Sequence, residues 1–237
     1  MNAPRKTRLI LSCEHGGNQI PREFKSLFNG HAELLKSHRG WDPGTRQLGQ
    51  SWSAELGCRL HLALNSRLLG DLNRSEHHRL LFSEITRGLS RQQKQHILAE
   101  YYHPHRQAIA AEVRQAIDGG HRVLHLGLHS FTPQLGDVVR NADVGLLYDP
   151  ARGWEHRLCG QWKKAMEVAR PATRVRLNYP YRGVADGLTT ALRRNYREDR
   201  YAGIELEVNQ QIVFDGGRRW HQLGRLLLET MRQVASV

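Results

Sequence analysis

The sequence predicts an α/β protein, a three-layer αβα arrangement in which helices flank a mostly parallel, mixed sheet. Two observations carry the prediction. Short runs rich in Leu, Ile and Val alternate with longer amphipathic stretches along the chain, as strands joined by crossover helices do. No internal repeat, low-complexity tract or long Pro/Gly/Ser linker divides the 237 residues, and one α/β unit routinely reaches that length. A single domain over residues 1–237 is therefore expected.

Strands are expected over 7–13, 59–64, 121–129, 143–148, 173–178 and 202–209. The first centres on Leu9-Ile10-Leu11. In the third, Leu124, Leu126 and Leu128 fall on one face and His125, Gly127 and His129 on the other, because successive side chains of a strand alternate. The same period in the last strand turns Ile204, Leu206 and Val208 to the core and places Glu205, Glu207 and Asn209 opposite. Apolar residues at helical spacing predict helices over 43–56, 90–117, 152–169 and 217–234. Ser90 is placed to cap the longest of these and Gly119-Gly120 to stop it. Ligands of open α/β sheets bind beyond the carboxyl ends of the strands, so the chemistry is sought just after each one.

Composition narrows the function classes. With 35 Lys and Arg against 23 Asp and Glu the formal charge is +12, which invites a nucleic-acid reading. The arginines are spread over the whole chain, however, with no basic tail, zinc-finger spacing or aromatic RNA-binding motif. The charge fits better a basic enzyme that attracts anionic substrates. Cys13, Cys58 and Cys159 form no C-x-x-C pair and are too few for a disulfide framework, so a reducing cytoplasm is expected. The basic N-terminal stretch leads into too short an apolar run for a signal peptide, and no segment approaches a membrane span.

Several residues after the strands carry chemistry. His15 follows the first strand beside Gly16-Gly17, and His129 ends the third; both are metal-ligand candidates. A catalytic zinc takes three protein ligands from His and Asp/Glu, so a carboxylate is required. Asp42, just before Pro43 and a helical run, is a candidate, and helix capping is an equally open role for it. Arg67 and Arg74 flank a compact polar cluster, suited to carboxylates and developing oxyanions. Glu205 or Glu207 could serve as general base, because neighbouring negative charges raise a carboxyl pKa. Tyr181 and Arg182 stand in a sharply turning loop, either binding substrate or shaping the turn.

Together these residues resemble a known family. The segments H-G-G-x-x-x-P (His15–Pro21), D-x-G-T (Asp42–Thr45), S-R…D-L-N-R (Ser66–Arg74), L-H-S (Leu128–Ser130), N-x-P-Y-R-G (Asn178–Gly183) and E-V-N (Glu207–Asn209) look like the N-formylglutamate amidohydrolase family, over nearly the whole chain. That family is similar in fold to zinc carboxypeptidases and to the aspartoacylase and succinylglutamate desuccinylase group. The resemblance implies a zinc-carboxypeptidase-like fold, one zinc ion on His15 and His129, Arg67 as oxyanion stabiliser and Glu207 as general base, with Glu205 its rival. It implies Asn73 and Arg74 as holders of the substrate carboxylate, with Tyr181 and Arg182 beside them. The expected substrate is a small anionic N-acyl amino acid such as N-formylglutamate.

The sequence departs from the family pattern twice. The glutamate ligand of H-x-x-E falls at Asn18, a poor zinc ligand, so the third ligand is assigned to Asp42, with Glu14 an alternative. Gly127 stands where an aspartate often precedes L-H-S, leaving His125 or water to orient the ligand histidine. Two rival readings follow: a carboxypeptidase-like hydrolase of a larger acyl-amino acid or peptide, and a non-catalytic module on the same fold that binds anions or nucleic acid.

Overall fold

Every apolar run singled out in the sequence contributes a strand. The computed structural model describes residues 5–235, and the ends of the expected 1–237 unit lie outside them. The strands are β1 (Thr7–Cys13), β2 (Leu60–Leu62), β3 (Arg122–Phe131), β4 (Gln134–Leu135), β5 (Val138–Val139), β6 (Val144–Leu147), β7 (Val175–Leu177) and β8 (Tyr201–Asn209). Six of them form one sheet in the order β2-β1-β3-β8-β6-β7. β2, β1, β3 and β8 run parallel, β6 is antiparallel to β8, and β7 is parallel to β6. The small antiparallel hairpin of β4 and β5 was not foreseen; its strands are too short to show a period. β2 is shorter than the 59–64 expected, because the chain leaves the sheet after Leu62 to form the site's loops.

The helices are α1 (Ala32–Lys36), α2 (Thr45–Leu56), α3 (Arg91–Ile97), α4 (His103–Asp118), α5 (Gly153–Ala169), α6 (Leu188–Arg193), α7 (Gln210–Asp215) and α8 (Gly217–Ala235). The helix expected over 90–117 exists as α3 and α4 joined by one wider turn over Leu98–Tyr102. Ser90 caps it through a reciprocal pair with Gln93, and Gly120, at φ +86°, ends it in a conformation that favours glycine. The short helices α1, α6 and α7 were not foreseen, since one or two turns leave too few residues for a periodicity to register.

Two apolar clusters cover the two sheet faces. On one side Leu124, Leu126, Leu128, Ile204, Leu206 and Val208 pack with α2, α5 and α8 through Trp52, Trp162 and Leu227. On the other, Ile10, Val123 and Tyr201 meet Ile109 and Val113 of α4 and Leu188 and Leu192 of α6. Burying each such side chain stabilises the fold by roughly 1.5–3 kcal/mol before entropy is counted. No helix among the described residues is long and apolar enough to cross a membrane.

Candidate metal centre

Beyond the carboxyl ends of β1, β3 and β8, three loops converge. Past β1 the chain turns at Gly16-Gly17 directly under the segment that follows β2. A Cβ at Gly17 would lie 2.3 Å from the Leu64 carbonyl oxygen, so the approach requires glycine. The loop bearing Asp42 is tied to both neighbouring strands. Its Asp42 N–H donates to the His15 carbonyl at 2.9 Å, and Ser130 Oγ donates to the Pro43 carbonyl at 2.9 Å. Gly44, at φ +85°, then starts α2. The capping role open to Asp42 is thereby excluded: Gly44 is the N-cap, and no side chain caps this helix.

His15, Asp42 and His129 come together, each almost fully buried, with one donor atom apiece within 4.8 Å of the others. Asp42 Oδ2 lies 3.3 Å from His15 Nδ1 and 3.0 Å from His129 Nδ1. The other ring nitrogens face carboxylates. His15 Nε2 bonds Asp71 Oδ1 at 2.7 Å. His129 Nε2 stands 3.2 Å from Glu14 Oε2, close but out of line for a hydrogen bond. Carboxylates behind ligating histidines fix tautomer and ring orientation. Burial alone would raise the pKa values of Asp42, Asp71 and Glu14, yet the surrounding imidazoles, and for the two aspartates Arg67, hold all three below the usual range. Burial likewise opposes charge on His15 and His129, but the facing carboxylates raise both. With neutral imidazoles, the three carboxylates outnumber the guanidinium groups paired with them, Arg67 and Arg74, and leave the group net negative. A divalent cation meets that demand without protonating the rings.

Glu207 sits on β8 in register with His129. It is buried, its Oε2 has no hydrogen-bond partner, and burial, with Asp42 and Glu205 nearby, pushes its pKa up to about 7. An orphaned carboxylate oxygen beside a group able to hold a metal calls for a functional explanation. The rival Glu205 is already engaged, accepting from Asn73 Nδ2 at 3.3 Å and Thr189 Oγ1 at 3.1 Å.

Arg67 donates to Asp71 Oδ2 at 2.7 Å and lies 3.4 Å from Asp42 Oδ1, at the wall of a cavity of about 420 Å³. Asn73, Arg74, Tyr181 and Arg182 line the same cavity. Asn73 Oδ1 accepts from the Leu188 N–H at 2.7 Å and Arg74 Nη1 donates to the Asp186 carbonyl at 3.2 Å, so both also brace the loop before α6. Tyr181, half exposed, carries the Arg140 guanidinium 4.9 Å from its ring centre.

Asn18, set aside as a poor ligand, is turned away, donating to the Leu35 carbonyl. One expectation fails. His125 does not orient His129; it bonds Ser12 Oγ and Tyr201 OH, both at 2.8 Å. Glu14 and Asp71 stand behind the two histidines of the group instead. Sequence reasoning had weighed Glu14 only as a ligand and given Asp71 no role, although one immediately precedes His15 and the other opens D-L-N-R.

The family model that describes N-formylglutamate amidohydrolase matches residues 7–214. The chain belongs to the N-formylglutamate amidohydrolase family. It is accordingly a hydrolase that acts on an amide bond. Among solved structures, a gene product of Agrobacterium tumefaciens superposes with a TM-score of 0.83 at 24% identity, over 98% of this chain and 92% of that one. The N-formylglutamate amidohydrolase from Ralstonia eutropha gives 0.73 at 19% identity, over 98% and 94%. At such identities the likeness is one of fold. No curated protein matches.

Proposed function

We propose that this chain is a zinc-dependent amidohydrolase that removes the acyl group from a small anionic N-acyl amino acid, of the N-formylglutamate kind. The observation that carries the reading is the buried His15–Asp42–His129 group with the partnerless Glu207 oxygen beside it, facing an arginine-lined cavity. Two imidazoles and one carboxylate are the donor set of a catalytic zinc site, and the surplus negative charge around them suits a divalent ion. Bound there, zinc supplies Lewis acidity, polarising a carbonyl and acidifying water.

The chain's own groups do the rest. Glu207, with a pKa near the working range, takes a proton from the attacking water and returns it to the leaving nitrogen. Arg67, held rigid by Asp71, donates toward the oxyanion that develops on the carbonyl oxygen. Arg74 and Asn73 receive the carboxylates of the amino acid, with Tyr181 and Arg182 further out along the same cavity. The products are a short carboxylate and a free amino acid.

Elemental analysis tests the ligand set. Wild type should carry about one zinc per chain and Asp42→Ala markedly less; unchanged stoichiometry in the variant would remove Asp42 from the site. Turnover of formyl-, acetyl- and succinylglutamate side by side then fixes the acyl group.

A further inference from the structure

The cavity in front of the His15–Asp42–His129 group is lined by six arginines, unevenly paired with the carboxylates around them. Its arginines divide into two sets. Arg67 is paired with Asp71 and Asp42, Arg39 with Glu84, and Arg74 lies 3.9 Å from Asp71 while donating to the Asp186 carbonyl. Arg79, Arg87 and Arg182 line the same cavity and have no carboxylate within 4.0 Å among the described residues. All three are exposed at its outer part. Arg79 and Arg87 belong to the segment over 79–87, which also presents Leu80 and Phe82, and Arg182 comes from the facing loop. His38, on the wall, is held below its usual pKa by burial first and then by the charges of Arg140, Arg39 and Arg67.

Size points the same way. About 420 Å³ falls within the roughly 300–1,000 Å³ of sites that enclose drug-sized ligands, more room than a formyl group and one amino acid fill. Guanidinium groups without an ion-pair partner, drawn from two segments that line one cavity, are suited to binding carboxylates bidentately along an extended molecule.

We propose that the preferred substrate is an N-acylated acidic peptide bearing three or more carboxylates. Its acylated first residue lies at the metal centre and its following acidic residue between Arg79, Arg87 and Arg182. This rests on the amidohydrolase reading and specifies its substrate class. Hydrolysis adds water across the acyl C–N bond, releasing the acyl group as a carboxylate and the peptide with a free amine.

Binding and turnover separate the two readings. N-methanesulfonyl-glutamate and N-methanesulfonyl-glutamyl-glutamate carry a sulfonamide that is not cut, so calorimetry reads affinity without catalysis. In wild type the three-carboxylate compound should bind at least ~10-fold tighter, about 1.4 kcal/mol, and the margin should shrink as ionic strength rises. In an Arg79→Ala/Arg87→Ala/Arg182→Ala variant the margin should collapse toward unity. Equal affinities in wild type, or a margin that survives the triple substitution, would overturn the proposal. Turnover of neither N-formylglutamate nor N-formyl-glutamyl-glutamate by zinc-loaded protein would instead count against the amidohydrolase reading, and leave the binding result to stand or fall by itself.

Discussion

His125 and His129 lie on the same face of the same strand, four residues apart, and both are buried, yet their surroundings drive them in opposite directions. In the middle of the sheet His125 meets two hydroxyls, Ser12 and Tyr201; burial rules, and its pKa falls to about 4. At the carboxyl end His129 meets two carboxylates, Asp42 and Glu14, which overcome the same burial and raise it. The centre of the sheet keeps an imidazole neutral by giving it neutral partners. The end of the sheet gathers negative charge. Strand position thus makes one residue type a core hydrogen-bonding group in one place and a candidate metal ligand in the other.

The largest expected effect separates the two outright. His129→Ala should lower zinc content from about one per chain to none and turnover by roughly 10³-fold or more, the scale of losing several kcal/mol of charge stabilisation. His125→Ala should keep its metal; zinc loss in both would erase the distinction. Next comes the partnerless carboxylate. Glu207→Gln should retain zinc while turnover falls by roughly 10²–10⁴-fold, as removal of a general base does, and near-normal activity would move that role to another group.

A third test concerns acid. Because the folded pKa of His125 lies below the ordinary 6.5, the unfolded chain takes up the proton first. The stability that neutral His125 contributes is therefore complete above pH 6.5 and is lost as pH falls toward 4. The span is worth roughly 3 kcal/mol. Urea unfolding of metal-free protein should show wild type losing roughly 3 kcal/mol more stability than His125→Gln between pH 6.5 and 4. His61 and His38, lowered chiefly by burial, and Glu207, raised to about 7 and acting with the opposite sign, contribute alike to both proteins. Identical slopes would show that the hydroxyl pair does not hold His125 neutral. The smallest effect belongs to Glu14. Replacing it with Gln should weaken zinc roughly 10–100-fold in chelator competition, and unaltered affinity would make its approach to His129 a packing contact.

Much of this was legible in the sequence, for physical reasons. β3 and β8 announced themselves because one buried face of each demands Leu, Ile and Val at alternate positions, and β1 by its run Leu9-Ile10-Leu11; His15 and His129 stand where two of those runs stop, while Glu207 was singled out from Glu205 by the family resemblance. Asp42 emerged once Asn18 failed as a ligand. What stayed hidden depends on contacts across the chain. Nothing local distinguishes Asp71 from a solvated aspartate until His15, 56 residues earlier, is set 2.7 Å away. The same holds for Glu14, whose partner His105 arrives on α4, 91 residues later. The engagement of Glu205 likewise needs Asn73, 132 residues before it.

Gly44 has a bearing on how the molecule comes into being. A Cβ there would press on Val213 at 2.8 Å and Trp220 at 3.1 Å, and Trp220 Nε1 donates to Gln47 Oε1 at 2.8 Å, bracing the helix that begins behind Asp42. The Asp42 loop, made early in synthesis, is thus backed by Val213 of α7 and Trp220 of α8, made about 170 residues later. A chain still emerging from the ribosome holds His15, Asp42 and His129 without that support, so competence to capture metal should arrive late, with the final helix acting as the latch.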